Sequence, residues 1–175
     1  MSDANDQKAI ARRLLLRKRA LQDRALELRR AGGTNREVGI ALGVETRQAE
    51  RLADAASCRH ELMKRSEGGC DLEALSLTKP ETLLLEALTK ETFSLMDSNE
   101  RRSCESRNVA WWVRRSQGWV SATARKRIGR RVVDPVTKKE VPGLGLVDVR
   151  GNGYLNITDE GLPVCRALFP EEFAA

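Results

Sequence analysis

The sequence predicts a mainly α-helical protein with a small β-hairpin, and three observations carry that expectation. Of 175 residues, 41% are hydrophobic but only 4% aromatic, and 32% are charged, a balance that suits small helical cores better than a broad β sandwich. The stretch Lys8–Ala31 holds no Gly or Pro and is rich in Leu, Ala, Arg and Glu, all strong helix formers. The stretch Gly145–Thr158 alternates apolar with polar residues around a glycine-bracketed turn, which is strand periodicity.

Within the first helix, Leu14, Leu21 and Leu28 recur every seven residues, with Ala11 and Ala25 nearby. The pattern lasts barely three heptads and Lys18 interrupts it, so a face packed on its own domain is preferred over a dimerising seam. Gly32-Gly33 ends the helix. Thr34-Asn35-Arg36-Glu37 then fits a capping box, and a short helix follows over Asn35–Leu42 with Val38 and Leu42 buried. Gly43 interrupts it. A third helix is expected from about Glu45 to Ala55, with Ala49 and Leu52 inward.

Charge divides the chain into three blocks. Residues 1–60 carry a net +5, residues 61–100 a net −5 and residues 101–175 a net +6. Two basic units are thus separated by an acidic connector, with Ser66-Glu67-Gly68-Gly69 as its break. The expected domains are 1–66 and 78–175, joined by a linker over 67–77.

In the second domain, Thr78-Lys79-Pro80-Glu81 is another capping box, opening a helix through about Met96 that buries Leu84, Leu88 and Leu95. A further helix is expected over Glu100–Ser116, and Ser121 caps the next, Ala122–Val133. That last helix places Ala124, Ile128 and Val132 on an apolar stripe at i, i+4 and i+8. Thr123, Arg125, Lys126, Arg127, Arg130 and Arg131 cover the rest, with no acidic residue between them. A face of one sign is better matched by a phosphate backbone than by water alone. The hairpin of Gly145–Thr158 is expected to pair Val147 with Ile157 and Val149 with Leu155 through a Gly151-Asn152-Gly153 loop, because a two-residue loop would mismatch the faces. A short helix through about Leu168 closes the chain.

The catalytic inventory is thin. One histidine leaves little for a nucleophile–base pair, no phosphate-binding glycine loop is present, and carboxylates concentrate in the connector; no enzyme activity and no cofactor are expected. Cys58, Cys70, Cys104 and Cys165 are expected as reduced thiols, since Cys58, His60 and Cys70 lack the paired spacing of a zinc site. The longest apolar runs, such as Thr82–Leu88, fall short of the roughly 18 residues of a membrane span, and Met1–Lys8 is too polar to begin a secretory signal. A cytoplasmic, nucleoid-associated protein that makes no membrane contact is the expectation.

From Asn35 to Asp54 the chain resembles a helix-turn-helix. Gly39 stands where two helices cross closely, Gly43 occupies the turn, and Val44, Ala49 and Leu52 match the apolar positions; Glu45 stands where Ser often caps the second helix, and Ala49 is smaller than usual. The resemblance implies that Thr46, Arg47, Gln48, Glu50 and Arg51 face the major groove and that Arg36 contacts phosphate. Farther on, the order helix, helix, basic helix, hairpin, helix over Leu77–Leu168 is similar to a C-terminal winged helix-turn-helix, and Gly145–Gly161 looks like the wing of MarR-like regulators. By that resemblance Ser121, Thr123, Lys126, Arg127 and Arg130 lie on a groove helix and Arg150 and Asn152 at a wing tip. The Asp134–Leu144 loop, with Lys138-Lys139, is longer than that pattern has.

The net charge of +6 and pI near 9.5 favour an acidic polymer as partner. The expected function is a sequence-specific double-stranded DNA-binding transcription regulator, bacterial or phage; the alternative is a nucleoprotein assembly factor for replication initiation, partition or phage packaging. A homodimer would match palindromic DNA. Trp111, Trp112 and Trp119 would line an effector pocket if there is one, but core packing is the safer account of aromatic residues at helical spacing.

Overall fold

The computed structural model describes residues 2–97, 123–149 and 155–174. It is mainly helical with two small antiparallel hairpins. Among the described residues, one compact unit gathers residues 2–61 and 94–97, and a second gathers 62–93, 123–149 and 155–174. The expected linker 67–77 holds a helical turn, and the division itself falls inside the third helix.

The first unit begins with α1 (Ser2–Arg30). Gly32 closes it at φ +95°, with its N–H on the Arg29 carbonyl and that of Gly33 on the Leu28 carbonyl. Among the described residues, the buried side chains of α1 lie in its second half. Ala25 and Leu26 are buried beside Val38, Ala49, Leu52, Ala53 and Ala56, with Leu21, Leu28, Leu42 and Val44 at the margin. Of the heptad leucines, Leu21 and Leu28 pack on their own unit as expected, but Leu14 is 59% exposed and Ile10 60%.

Residues Asn35–Leu42 form α2. Thr34 caps it: its hydroxyl accepts from the Glu37 N–H, while the Glu37 carboxylate accepts from the Thr34 N–H at 2.8 Å. Gly43 terminates α2 in the left-handed region, φ +66°. The turn then presses against Gly39, where an added Cβ would lie 2.8 Å from the Val44 carbonyl oxygen. The following helix, α3 (Thr46–Arg65), outruns its expected end at Ala55. Ala56, Arg59 and Leu62 continue its buried face at helical spacing.

An ionic cluster is buried in this unit. Arg19 Nε lies 3.2 Å from Asp97 Oδ1 and its Nη2 2.9 Å from Oδ2, while Arg59 Nη2 donates to Asp23 Oδ1 at 2.6 Å. Arg59 Nη1 also donates to Gln22 Oε1 and lies 3.6 Å from Asp97 Oδ1. Arg19 is 3% exposed and Arg59 1%. Desolvation is the main cause holding the Arg59 guanidinium below its ordinary pKa, with Arg19 adding to it and Asp23 and Asp97 opposing.

After the end of α3, the second unit continues with the short α4 (Leu72–Leu75), capped by Asp71, whose carboxylate accepts from the Ala74 N–H at 3.0 Å. Next, α5 (Lys79–Met96) buries Leu84, Leu85 and Leu88 completely, and Phe93 meets Phe173 edge-on at 4.8 Å. Arg65, at the end of α3, donates through Nε to Asp159 at 2.6 Å.

Where a basic helix is expected over Ala122–Val133, the backbone does otherwise. Ala124–Ile128 is a π-helical turn, Gly129 is extended, and Arg131–Val133 is strand β1. Gly129 and the β-branched pair Val132-Val133 favour that exit from helix. A side chain at 129 would also strike the Ala124 carbonyl oxygen, 2.4 Å from its Cβ. The expected buried stripe survives, since Ala124, Ile128 and Val132 are all buried. A strand that buries its middle residue happens to coincide with the i+8 position.

The long Asp134–Leu144 connection is itself a hairpin. Strand β1 pairs with β2 (Glu140–Pro142), Val132 opposite Val141. Its turn is set by Asp134, whose carboxylate accepts from the Val136 and Thr137 N–H groups, and by Lys138 at φ +57°. Strands β3 (Val147–Val149) and β4 (Leu155–Ile157) pair Val147 with Ile157 and Val149 with Leu155, in the expected register. The last helix, α6 (Gly161–Leu168), follows Thr158, whose hydroxyl accepts from the Gly161 N–H at 3.0 Å.

Backbone hydrogen bonds bind the π turn to the chain ahead of β3. The N–H groups of Gly143, Leu144, Gly145 and Leu146 donate to the carbonyls of Arg130, Arg127, Gly129 and Ile128, at 2.8–3.1 Å.

Candidate nucleic-acid interface

The first turns of α3 bring the sequence-predicted residues of the first unit together. Thr46, Arg47 and Gln48 are exposed, Glu50 and Arg51 half-buried, and Arg36 is exposed on α2. Arg47 and Arg51 stand four residues apart, one above the other on the helix surface. Among the described residues no ion pair engages Arg36, Arg47 or Arg51, and Arg51 Nε is a buried donor with no hydrogen-bond partner. By contrast Arg29, on α1, is held by Asp54 at 2.7 Å. The first turn of α3 contains no acidic residue, so its backbone N–H groups and helix dipole remain favourable to an anion. Glu50 gives the face one acceptor, suited to a cytosine amino group and not to phosphate.

In the second unit the predicted residues separate. Arg125 and Lys126 are exposed on the π turn, Arg130 and Arg131 beyond it, and Thr123 is half-buried. Ser121, Arg150 and Asn152 lie outside the described residues, as do the helix expected over Glu100–Ser116, Trp111, Trp112 and Trp119, and Cys104.

Arg127 is turned onto its own molecule. Its Nη2 donates to Glu81 Oε2 at 2.6 Å and to the Ser76 carbonyl at 2.8 Å, and its Nη1 to the Leu75 carbonyl at 3.1 Å. This corrects the expectation that Arg127 faces a groove: it joins the π turn to α4 and to the start of α5. Sequence reading missed Glu81 as its partner because Glu81 already serves the α5 cap, accepting from the Thr78 N–H at 2.8 Å.

Burial acts to raise the Glu81 carboxyl, but Arg127 and the Thr78 N–H outweigh it and hold the group below its ordinary value. A depressed folded-state pKa means stability that is present above the ordinary carboxylate range and lost as pH falls through the lowered value. The stability difference between the native chain and Glu81→Gln, measured by urea unfolding, is therefore expected to shrink from about pH 7 to about pH 3. A difference that stays constant across that range would show that the pair does not titrate.

The remaining arginines line a cleft of about 610 Å³ formed by Arg125, Arg130, Arg131, Glu140, Asp148 and two valines. Arg131 lies 3.9 Å from Glu140, and Arg130 lies 3.8 Å from Glu160, all four largely exposed. Sequence reading passed over Glu140 and Asp148, since the first sat in an expected loop and the second on an expected outward strand position.

The cysteines depart from four reduced thiols. Cys58 is disulfide-bonded, while Cys70 and Cys165 are free. Burial pushes the Cys165 thiol up to about 12, so it behaves as a small apolar side chain. His60 Nε2 lies 2.8 Å from Asp23 Oδ1. Among the described residues no group of three or more His, Cys, Asp or Glu is placed to hold a metal ion. No described helix is long and apolar enough to cross a membrane. Comparison with protein-family models, with curated proteins and with solved structures found no match to this chain.

Proposed function

We propose that the chain is a sequence-specific double-stranded DNA-binding protein, a transcription regulator that acts at the nucleoid by occupying its site. The observation that carries this reading is the α2–turn–α3 face: a capped short helix, a left-handed glycine turn, and a second helix opening on Thr46, Arg47 and Gln48, where among the described residues no carboxylate pairs with Arg47 or Arg51. In this reading the first turns of α3 enter the major groove, Arg47 and Arg51 take guanine edges or phosphates, and Gln48 takes adenine. Arg36, on the preceding helix, neutralises a backbone phosphate. The contribution of the second unit is smaller than its sequence implies, because Arg127 is committed to Glu81.

The test is selection of a binding duplex from a random library with the full chain, followed by fluorescence anisotropy on the selected site. Arg47→Ala is expected to cost about 1–3 kcal/mol and to relax the preference at one base pair. Arg36→Ala should weaken all duplexes alike and lower the salt slope by about one. Equal affinity of the native chain and both variants for the selected duplex would end this reading.

A further inference from the structure

We infer that the arginine-lined cleft of the second unit is a binding site for a small phosphomonoester whose organic part carries hydroxyl or amino groups. Three arginines from two elements, Arg125 on the π turn and Arg130 and Arg131 at the entry to β1, converge on one concavity of about 610 Å³. That volume falls in the range of about 300–1,000 Å³ usual for small-molecule sites and far exceeds the needs of a lone anion. Guanidinium forks match the paired oxygens of a phosphate, and the group tolerates partial desolvation better than an ammonium does.

The rest of the lining says what the phosphate is attached to. Glu140 on β2 and Asp148 on β3 face the same cleft, and a carboxylate accepts hydrogen bonds only. Two acceptors beside three cations would repel the closely spaced phosphates of a duplex. They suit a compact ligand with one doubly charged end and several hydroxyl or amino donors. Val133 and Val149 add an apolar wall for a sugar ring or base. The loose pairs Arg131–Glu140 at 3.9 Å and Arg130–Glu160 at 3.8 Å are long, exposed contacts that a phosphate would displace at small cost. The frame beneath is fixed by the hydrogen bonds from residues 143–146 to the π turn and by the Arg127–Glu81 contact, so the arginine backbones are positioned without a ligand.

A ribonucleotide and a sugar phosphate share this chemistry, and the arms of the experiment separate them. The full chain is titrated calorimetrically with adenosine 5′-monophosphate, ribose 5-phosphate, inorganic phosphate, adenosine and ribose. Both phosphomonoesters are expected to bind at least about tenfold tighter than inorganic phosphate or either unphosphorylated compound. A further preference for the nucleotide assigns a base-accepting site, and equal affinities assign a sugar-phosphate site. Arg130→Gln/Arg131→Gln, both at exposed positions, should weaken either ester about tenfold or more while circular dichroism and melting stay native. Glu140→Gln should weaken the esters and not inorganic phosphate. Arg47→Ala should leave ester binding unchanged, so that failure of the DNA reading and failure of this one are told apart. The inference is overturned if no ester binds at millimolar concentration, if the double variant binds as well as the native chain, or if a duplex at equal phosphate concentration displaces the ester.

Discussion

Replacing Asp97 by Ala is expected to destabilise the first unit by about 3–5 kcal/mol, the usual cost of removing one partner from a buried ion pair. Asp97 is 6% exposed and receives two hydrogen bonds from Arg19 Nε and one from Nη2, with Arg59 Nη1 3.6 Å away. Without it two buried guanidiniums stand side by side, opposed within this group by Asp23, which is partly solvated and also engages His60. Urea unfolding of the full chain measures the effect. The double variant Arg19→Met/Asp97→Leu is expected to cost clearly less than Asp97→Ala, because it removes the charge together with its counterion. A single variant within about 1 kcal/mol of the native chain would show that water already solvates the cluster.

Gly143→Ala is expected to cost the second unit about 3 kcal/mol, the upper end of overpacking, through the backbone and not through any side chain. A Cβ at this position would lie 2.1 Å from the Gly129 carbonyl oxygen and 2.7 Å from that of Arg127. Neither oxygen can swing aside as a flexible side chain would. The strand end and the π turn must separate, which breaks the bonds from Gly143 to Arg130 and from Leu144 to Arg127. Gly69→Ala is the control, since a Cβ there meets nothing within 4 Å and should stay within about 0.5 kcal/mol. Thermal melting of the two variants side by side checks both. Equal melting temperatures would mean that the β1–β2 hairpin shifts without loss.

What the sequence discloses and what it withholds follow from the range over which each signal acts. The turn at Gly43 and the Thr34–Glu37 cap are local chemistry, and the structure carries both. The β3–β4 register was legible for a similar reason: alternation with period two and the parity of the loop admit only one pairing that keeps Val147 and Leu155 inside. The β1–β2 hairpin was not, because Arg131-Val132-Val133 and Glu140-Val141-Pro142 lack the apolar–polar alternation of β3 and β4, and Arg131 and Lys138 read as helix or loop charge. Arg59 hid the continuation of α3, since a buried arginine looks like a solvent position until its partners are known. Arg19 finds its carboxylate 78 residues along the chain, and Arg127 its own 46 residues away. The same distance in sequence explains the candidate site: exposure of Arg47 was readable from helical spacing, whereas capture of Arg127 was not.

Among the described residues, the burial of the first helix lies along its second half. From Arg19 onward it is buried or half-buried in places, while residues 4–14 are all exposed. About ten exposed residues are below the length at which a helix persists alone in water, so these turns draw much of their order from the buried half. Their amide protons should therefore exchange in a gradient, fastest at the N-terminal end and slowing steeply toward Ala25, as the helix shortens and regrows against a fixed root.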